Sequence, residues 1–148
     1  MPTESVHIAK ANHNQSLIER LLPDIATYPD WISTIAFYKA LHVVEAVFAN
    51  NPKIGHGQNH EARERYLKSG PDRNRYRHIY GHYKPLYDAS LVARYLTTGG
   101  DDFSDYLTPD DVRNLILGHH LHQVEESACR FLKAPADLRR VRPCLGAT

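Results

Sequence analysis

Residues Trp31–Ala49 read WISTIAFYKALHVVEAVFA. Phe37, Leu41, Val44 and Phe48 recur at three- and four-residue steps and form one apolar stripe. Trp31, Ile35, Tyr38, His42, Glu45 and Ala49 form a second stripe. A helix apolar on two faces belongs in the middle of a bundle. His42 and Glu45 lie three residues apart on the second stripe, so both project from one face. Buried ionisable groups need partners, so the stretch also asks which residues satisfy these two.

The chain around it has 148 residues, enough for one domain with one core. Hydrophobic residues make up 42% and the formal net charge is +1, which describes an ordinary globular chain with no global bias toward nucleic acid or membrane. Charge is uneven locally. Arg63, Arg65, Lys68, Arg73, Arg75, Arg77 and Lys84 face only Glu64 and Asp72 in the same interval, whereas Asp101, Asp102, Asp105, Asp110 and Asp111 form an acidic run. Two cysteines, Cys129 and Cys144, are too few for a disulfide framework. No uninterrupted apolar run approaches a membrane span, and MPTESVHIAK lacks the apolar centre of a signal peptide, so the expected location is cytoplasmic, away from membranes.

The remaining helices follow from stop and start signals. Thr3–Leu22 reads as a first helix capped by Thr3 or Ser5 and stopped at Pro23. Asp30 is the expected cap of the central helix. Asn50–Gly57 is a loop, and Asn59–Lys68 a short helix. Arg73 to about Leu96 is a long helix, with Gly81 and Pro85 predicting a kink or restart. On it Tyr76, Tyr80, Tyr83 and Tyr87 form a tyrosine stripe, more often core than a stacking platform. Thr97–Thr108, with Gly99 and Gly100, is a loop. Thr108-Pro109-Asp110-Asp111 starts a helix that reaches about Lys133, with Leu117, Leu121, Val124, Ala128 and Phe131 as its core stripe. The expected fold is all-α, an up-and-down bundle of four to five helices: one domain over residues 1–133, and an irregular tail over 134–148.

Three places resemble the HEPN family. Trp31-x6-Tyr38-x3-His42-x2-Glu45-Ala46 is similar to that family's "YYaalH…EA" central helix. Asn59-His60-x2-Arg63 is similar to a short "NH..R" helix start in one bacterial branch. Tyr80-x2-Tyr83-x2-Leu86-x3-Ser90-x2-Ala93-Arg94-Tyr95 is similar to the same branch's "Y..Y..L…S..ARY" helix. The resemblance spans about residues 25–133. It implies a helical bundle, often a homodimer, that binds nucleotide or RNA, commonly in defence or toxin–antitoxin systems beside a nucleotidyltransferase-type partner protein. Catalytic members are metal-independent ribonucleases, so no cofactor is implied. Their motif is Arg, four to six residues, then His, with two copies meeting across a dimer.

Arg73-Asn74-x3-His78 fits that spacing, as do Arg113-Asn114-x4-His119, its neighbour His120, and Arg77-x4-His82. The family's toxin branch ends its motif His-x-Tyr, which His78-Ile79-Tyr80 matches and His119-His120-Leu121 does not. Arg73, His78 and Tyr80 are therefore the first candidate catalytic set, and Arg113 with His119 the second. A histidine near neutrality can take the proton of a 2′-hydroxyl, and an arginine can offset the charge that develops on phosphorus. The plainer reading of these arginines is a solvated helix surface.

The residues that carry the resemblance also define a candidate ligand-binding set: Tyr38, His42, Glu45, His60, Arg63, Arg94 and Tyr95, with Ser90. If their faces converge they make an anion or nucleotide pocket, or else a buried network that locks the helices. Glu45 is expected within reach of Arg63 or Arg94. For metal, His119, His120 and His122 lie beside Glu125 and Glu126, and His56 and His60 are four apart, but neither HExxH nor paired Cys-x-x-Cys is present. The expectation is no metal. Three functions stay open: a nucleotide- or RNA-binding module, a metal-independent ribonuclease, and a structural bundle that pairs with a partner.

Overall fold

Helix α2 (Pro29–Ala49) is the axis of the molecule. The computed structural model describes residues 2–96 and 102–142. The expected glycine turn at Gly99-Gly100, Asp101 and Cys144 lie outside the described residues. Helix α1 (Glu4–Leu21) lies along one side of α2. On the other side pack α4 (Arg73–Tyr95) and a final rod, α5, built from Pro109–Asp111, Val112–Leu121 and His122–Ala128. Short α3 (His60–Lys68) leans on α4. The described residues are an all-α bundle with no strand.

Ile32, Ala36, Phe37, Ala40, Val44, Ala46 and Phe48 of α2 are fully buried. Each side chain the size of valine to phenylalanine contributes about 1.5–3 kcal/mol on burial. The second stripe is only partly covered, because Trp31 at its start stays 58% exposed. By length and hydropathy alone α2 could cross a bilayer, but 72% of its most apolar 18-residue window is buried in the fold, as befits a core helix.

The helix starts are partly as the sequence reads. Asn59 caps α3 by accepting from the Ala62 N–H at 2.8 Å. Thr108 and Asp111 close a reciprocal capping box at 3.1 Å each way. Asp30 does not cap α2. Pro29 takes the first helical position and Tyr28 the cap, which leaves Asp30 as an acid in the first turn, where the helix dipole favours it. Neither Thr3 nor Ser5 caps α1 through its side chain; their hydroxyls meet each other at 3.0 Å. Helix α4 runs unbroken through Pro85. The carbonyl deprived of its donor belongs to Gly81, which is exposed, so water can take that place. Tyr76 and Tyr83 are buried and Tyr80 and Tyr87 half-buried, so the tyrosine stripe is core.

Two features were not legible in the periodicity. Val112–Leu121 is wound as a π-helix, which shifts side chains off the α-helical register. The described residues after α5, 129–142, hold two short 3₁₀ turns and are otherwise irregular but held: Leu138 and Val141 are buried, and Asn12 bonds the backbone of Asp137 and Arg139 at 2.9 and 2.7 Å. Beneath them lies an ion pair enclosed on all sides, Lys39 Nζ to Glu125 Oε2 at 2.5 Å. Lys39 also donates to Gln15 Oε1 and the Arg139 carbonyl, both at 2.8 Å, and Glu125 accepts from the Val141 N–H at 2.8 Å. Burial pushes Lys39 down and Glu125 up, each against the opposing charge of the other.

Candidate functional site

The polar face of α2 meets the Asn50–Gly57 loop and α3 at Glu45. Its carboxylate is 2% exposed and accepts from the Gly57 N–H at 3.1 and 3.0 Å and from Arg63 Nη1 at 3.4 Å. Arg63 also donates to the Gly57 carbonyl at 3.1 Å, and its Nη2 stands 3.2 Å from His60 Nδ1. Gly57 is required by space. A Cβ there would lie 2.4 Å from Arg63 Cγ and 2.5 Å from Glu45 Oε1. His56 Nδ1 lies 3.0 Å from Glu45 Oε2 without hydrogen-bond alignment. The expected Glu45–Arg63 pair is therefore present.

Arg94 is not part of it. It donates to Tyr38 Oη, the Ser90 carbonyl and Ser90 Oγ, each at 3.2 Å, and lies over the rings of Tyr38 and Tyr95. The seven-residue set thus divides into a Glu45 centre with Arg63 and His60, an Arg94 centre with Tyr38 and the largely exposed Tyr95, and His42, which joins neither. Below Arg63 the buried Tyr83 hydroxyl and Arg63 Nε have no hydrogen-bond partner among the described residues. Burial, opposed by Arg63, pushes the Tyr83 phenol up to about 12.

His42 turns away from Glu45 toward α1, where its Nδ1 lies 3.2 Å from His7 Nδ1 and the rings stack. His7 was missed in the sequence because nothing in its own helix marks it. Burial first, then His42, His56 and Lys10, hold His7 at about 4 instead of 6.5. Burial likewise lowers His42 and His60. A folded-state value below the unfolded one means that the unfolded chain binds more protons between about pH 4 and 6.5. The His7 contribution is thus complete above about 6.5 and is lost as pH falls toward about 4. Melting temperature of the metal-free chain should decline through that window, and His7→Gln should flatten the decline. A flat wild-type profile would contradict the buried, neutral imidazole.

The α3–α4 corner is the charged face. Arg65, Lys68, Arg73, Arg75 and Arg77 are all exposed. Only Arg75 among these five has a carboxylate within ion-pair distance in the described residues, Asp72 at 3.8 Å. Arg63 is withdrawn into the Glu45 centre, and Lys84 is paired with Asp88 at 3.0 Å. An open cleft of about 440 Å³ borders this corner, lined by Lys53, Arg75, Arg130, Asn51 and Phe131 together with the carboxylate of Asp72. The Arg75 guanidinium lies 5.0 Å from the Phe131 ring centre.

At the end of this face the candidate catalytic residues separate into free and engaged groups. Arg73 is exposed. His78 Nε2 stands 3.1 Å from Gln123 Oε1. Tyr80 donates to Glu64 Oε1 at 3.1 Å, and burial followed by Glu64 raises its phenol. Arg113 is half-buried with Nε unpartnered among the described residues, and His119 is exposed. The histidines of the two candidate motifs converge on one ring: His82 lies 4.9 Å from His78 and 5.0 Å from His119, centre to centre. The two carboxylates beside His122 are taken by other partners, Glu125 by Lys39 and Glu126 by Arg140. His56 and His60 also go to different partners, Glu45 and Arg63.

Compared with models of protein families, with curated proteins and with solved structures, the chain has no match in any of the three.

Proposed function

We propose that this chain is a HEPN-like helical module that binds RNA along the α3–α4 corner. The observation that carries the reading is the run of exposed cations from Arg65 to Arg77, four of them without a carboxylate at ion-pair distance among the described residues. Phosphate contacts of this kind supply affinity without sequence preference. The cleft at Arg75 and Phe131 offers a ring and a cation stack where an unpaired base can lie. The buried tyrosines take no part. A protein of this kind, working in a defence or toxin–antitoxin setting, would pair with a second copy or with a nucleotidyltransferase-type protein. Exposed Trp31 and Tyr28, at the start of α2, offer aromatic surface that such pairing would bury.

Binding of a labelled single-stranded RNA should be steeply salt-dependent. About five phosphate contacts at roughly −0.7 each give a slope of about −3 to −4 in log affinity against log salt. A slope near zero would remove the phosphate-led reading.

A second reading, metal-independent RNA cleavage, is favoured by the convergence of His78 and His119 on His82. His78→Ala then abolishes cleavage while affinity stays nearly intact. Under binding alone the variant behaves as wild type.

A further inference from the structure

Three imidazoles from two helices meet on the face formed by α4 and α5. His82 Nδ1 lies 3.0 Å from His120 Nδ1. The His82 ring stands edge-on to His119 at 5.0 Å, and the His119 and His120 centres are 4.9 Å apart. One ligand nitrogen from each of the three falls within 4.8 Å of the other two. Beyond the His82–His120 contact, none of the three has a hydrogen-bond partner among the described residues. In the metal-free chain one Nδ1–H donates to the facing Nδ1 lone pair, and an ion held between the two rings would displace that proton. We propose that His82, His119 and His120 form a binding site for a divalent transition-metal ion of the zinc class.

The spacing suits that ion. Zinc–nitrogen bonds of about 2.0–2.1 Å place tetrahedral ligand atoms roughly 3.3 Å apart, close to the nitrogen pair already present. Zinc binds neutral imidazole nitrogens, and His82 and His120 present theirs from half-buried positions on this face. His119 and His120 stand at the end of the π-helical segment, a winding that recurs at functional sites. His78 packs edge-on against His82 at 4.9 Å and is steadied by Gln123, as an outer partner would be. Exposed His119 leaves one side of the site open to solvent, so a fourth position can take water or a ligand. Another set of donors, His7, Glu45 and His56, is equally close. There the carboxylate is already bound by the Gly57 N–H and Arg63, which compete with an ion. The site on α4 and α5 stands on its own geometry and does not depend on RNA binding.

The test uses the full chain without a histidine tag, freed of metal, titrated with Zn²⁺ by calorimetry and with Co²⁺ by visible absorption. The expected result is one ion per chain, an intense tetrahedral cobalt spectrum without a thiolate band, and a rise in melting temperature with zinc. His82→Gln and His120→Gln should each weaken binding by at least about 100-fold, since even an outer-partner change costs about 10–100-fold. The exposed His119→Gln gives a third variant at small risk to folding, and circular dichroism of each metal-free variant checks the fold. His7→Gln should leave binding unchanged. No uptake by wild type, binding that survives all three variants, loss in His7→Gln, or a cobalt–thiolate band would each overturn the site.

Discussion

Glu125→Ala is expected to lower stability by about 3–5 kcal/mol, a fall in melting temperature on the order of 10 °C for a domain of this size. The carboxylate faces Lys39 at 2.5 Å with neither side chain exposed to solvent. Its removal leaves a buried ammonium with only the Gln15 amide oxygen and the Arg139 carbonyl, and strips the Val141 N–H of its acceptor. Lys39→Met paired with Glu125→Leu should cost much less than the sum of the single changes, because well-packed apolar groups often replace a buried pair at little loss. The double variant will not be free, since Gln15 and Val141 still lose partners. Urea denaturation of the four proteins measures this cycle. Single-variant losses below about 1 kcal/mol would place the pair in contact with solvent.

Glu45→Ala should produce a loss of the same order, about 3–5 kcal/mol, by stranding Arg63. Here the damage is local as well. The carboxylate joins α2 to the Gly57 backbone and, through Arg63, to α3. Hydrogen exchange should quicken across residues 54–63 before the rest of the bundle. Helix α3 carries Arg65 and Lys68, so RNA affinity should fall along with stability. Glu45→Gln keeps one acceptor for Gly57 and should lose less. Exchange that stays slow around α3 in Glu45→Ala would show that the network does not hold that helix.

The sequence contained the part of this architecture that short-range spacing encodes. The two stripes of α2 and the α5 core stripe from Leu117 to Ala128 follow from steps of three and four residues, and the Thr108 cap from the residue types at that helix start. The Glu45–Arg63 pair was legible because an acid and a base each sat on an identifiable helix face. What failed is long-range or off-register. Lys39 interrupts an apolar stretch, and its partner, Glu125, lies 86 positions further on. Periodicity holds no information about such a pairing. The sequence places His119, His120 and His122 beside Glu125 and Glu126, but Glu125 pairs with Lys39 and Glu126 with Arg140, while His119 and His120 of the π-helical segment stand against His82 of α4. Arg94 was grouped with Glu45 because both are among the residues that carry the family resemblance. Its reach from the last turn of α4 ends at Tyr38 and Ser90. The tail read as irregular; its described part, residues 134–142, holds one 3₁₀ turn at Pro135–Asp137, and Leu138 and Val141 close the core over the Lys39–Glu125 pair.

The direct test of RNA binding at the α3–α4 corner is the affinity of the Arg73→Gln, Arg75→Gln, Arg77→Gln triple variant for a labelled single-stranded RNA, measured beside wild type at 50 and 200 mM salt. All three side chains are exposed, so the variant should keep its fold and melting temperature. Loss of about three phosphate contacts should weaken binding on the order of 10–100-fold at the lower salt and reduce the salt slope by about 2. Full affinity and an unchanged slope in the folded triple variant would contradict RNA binding at this surface.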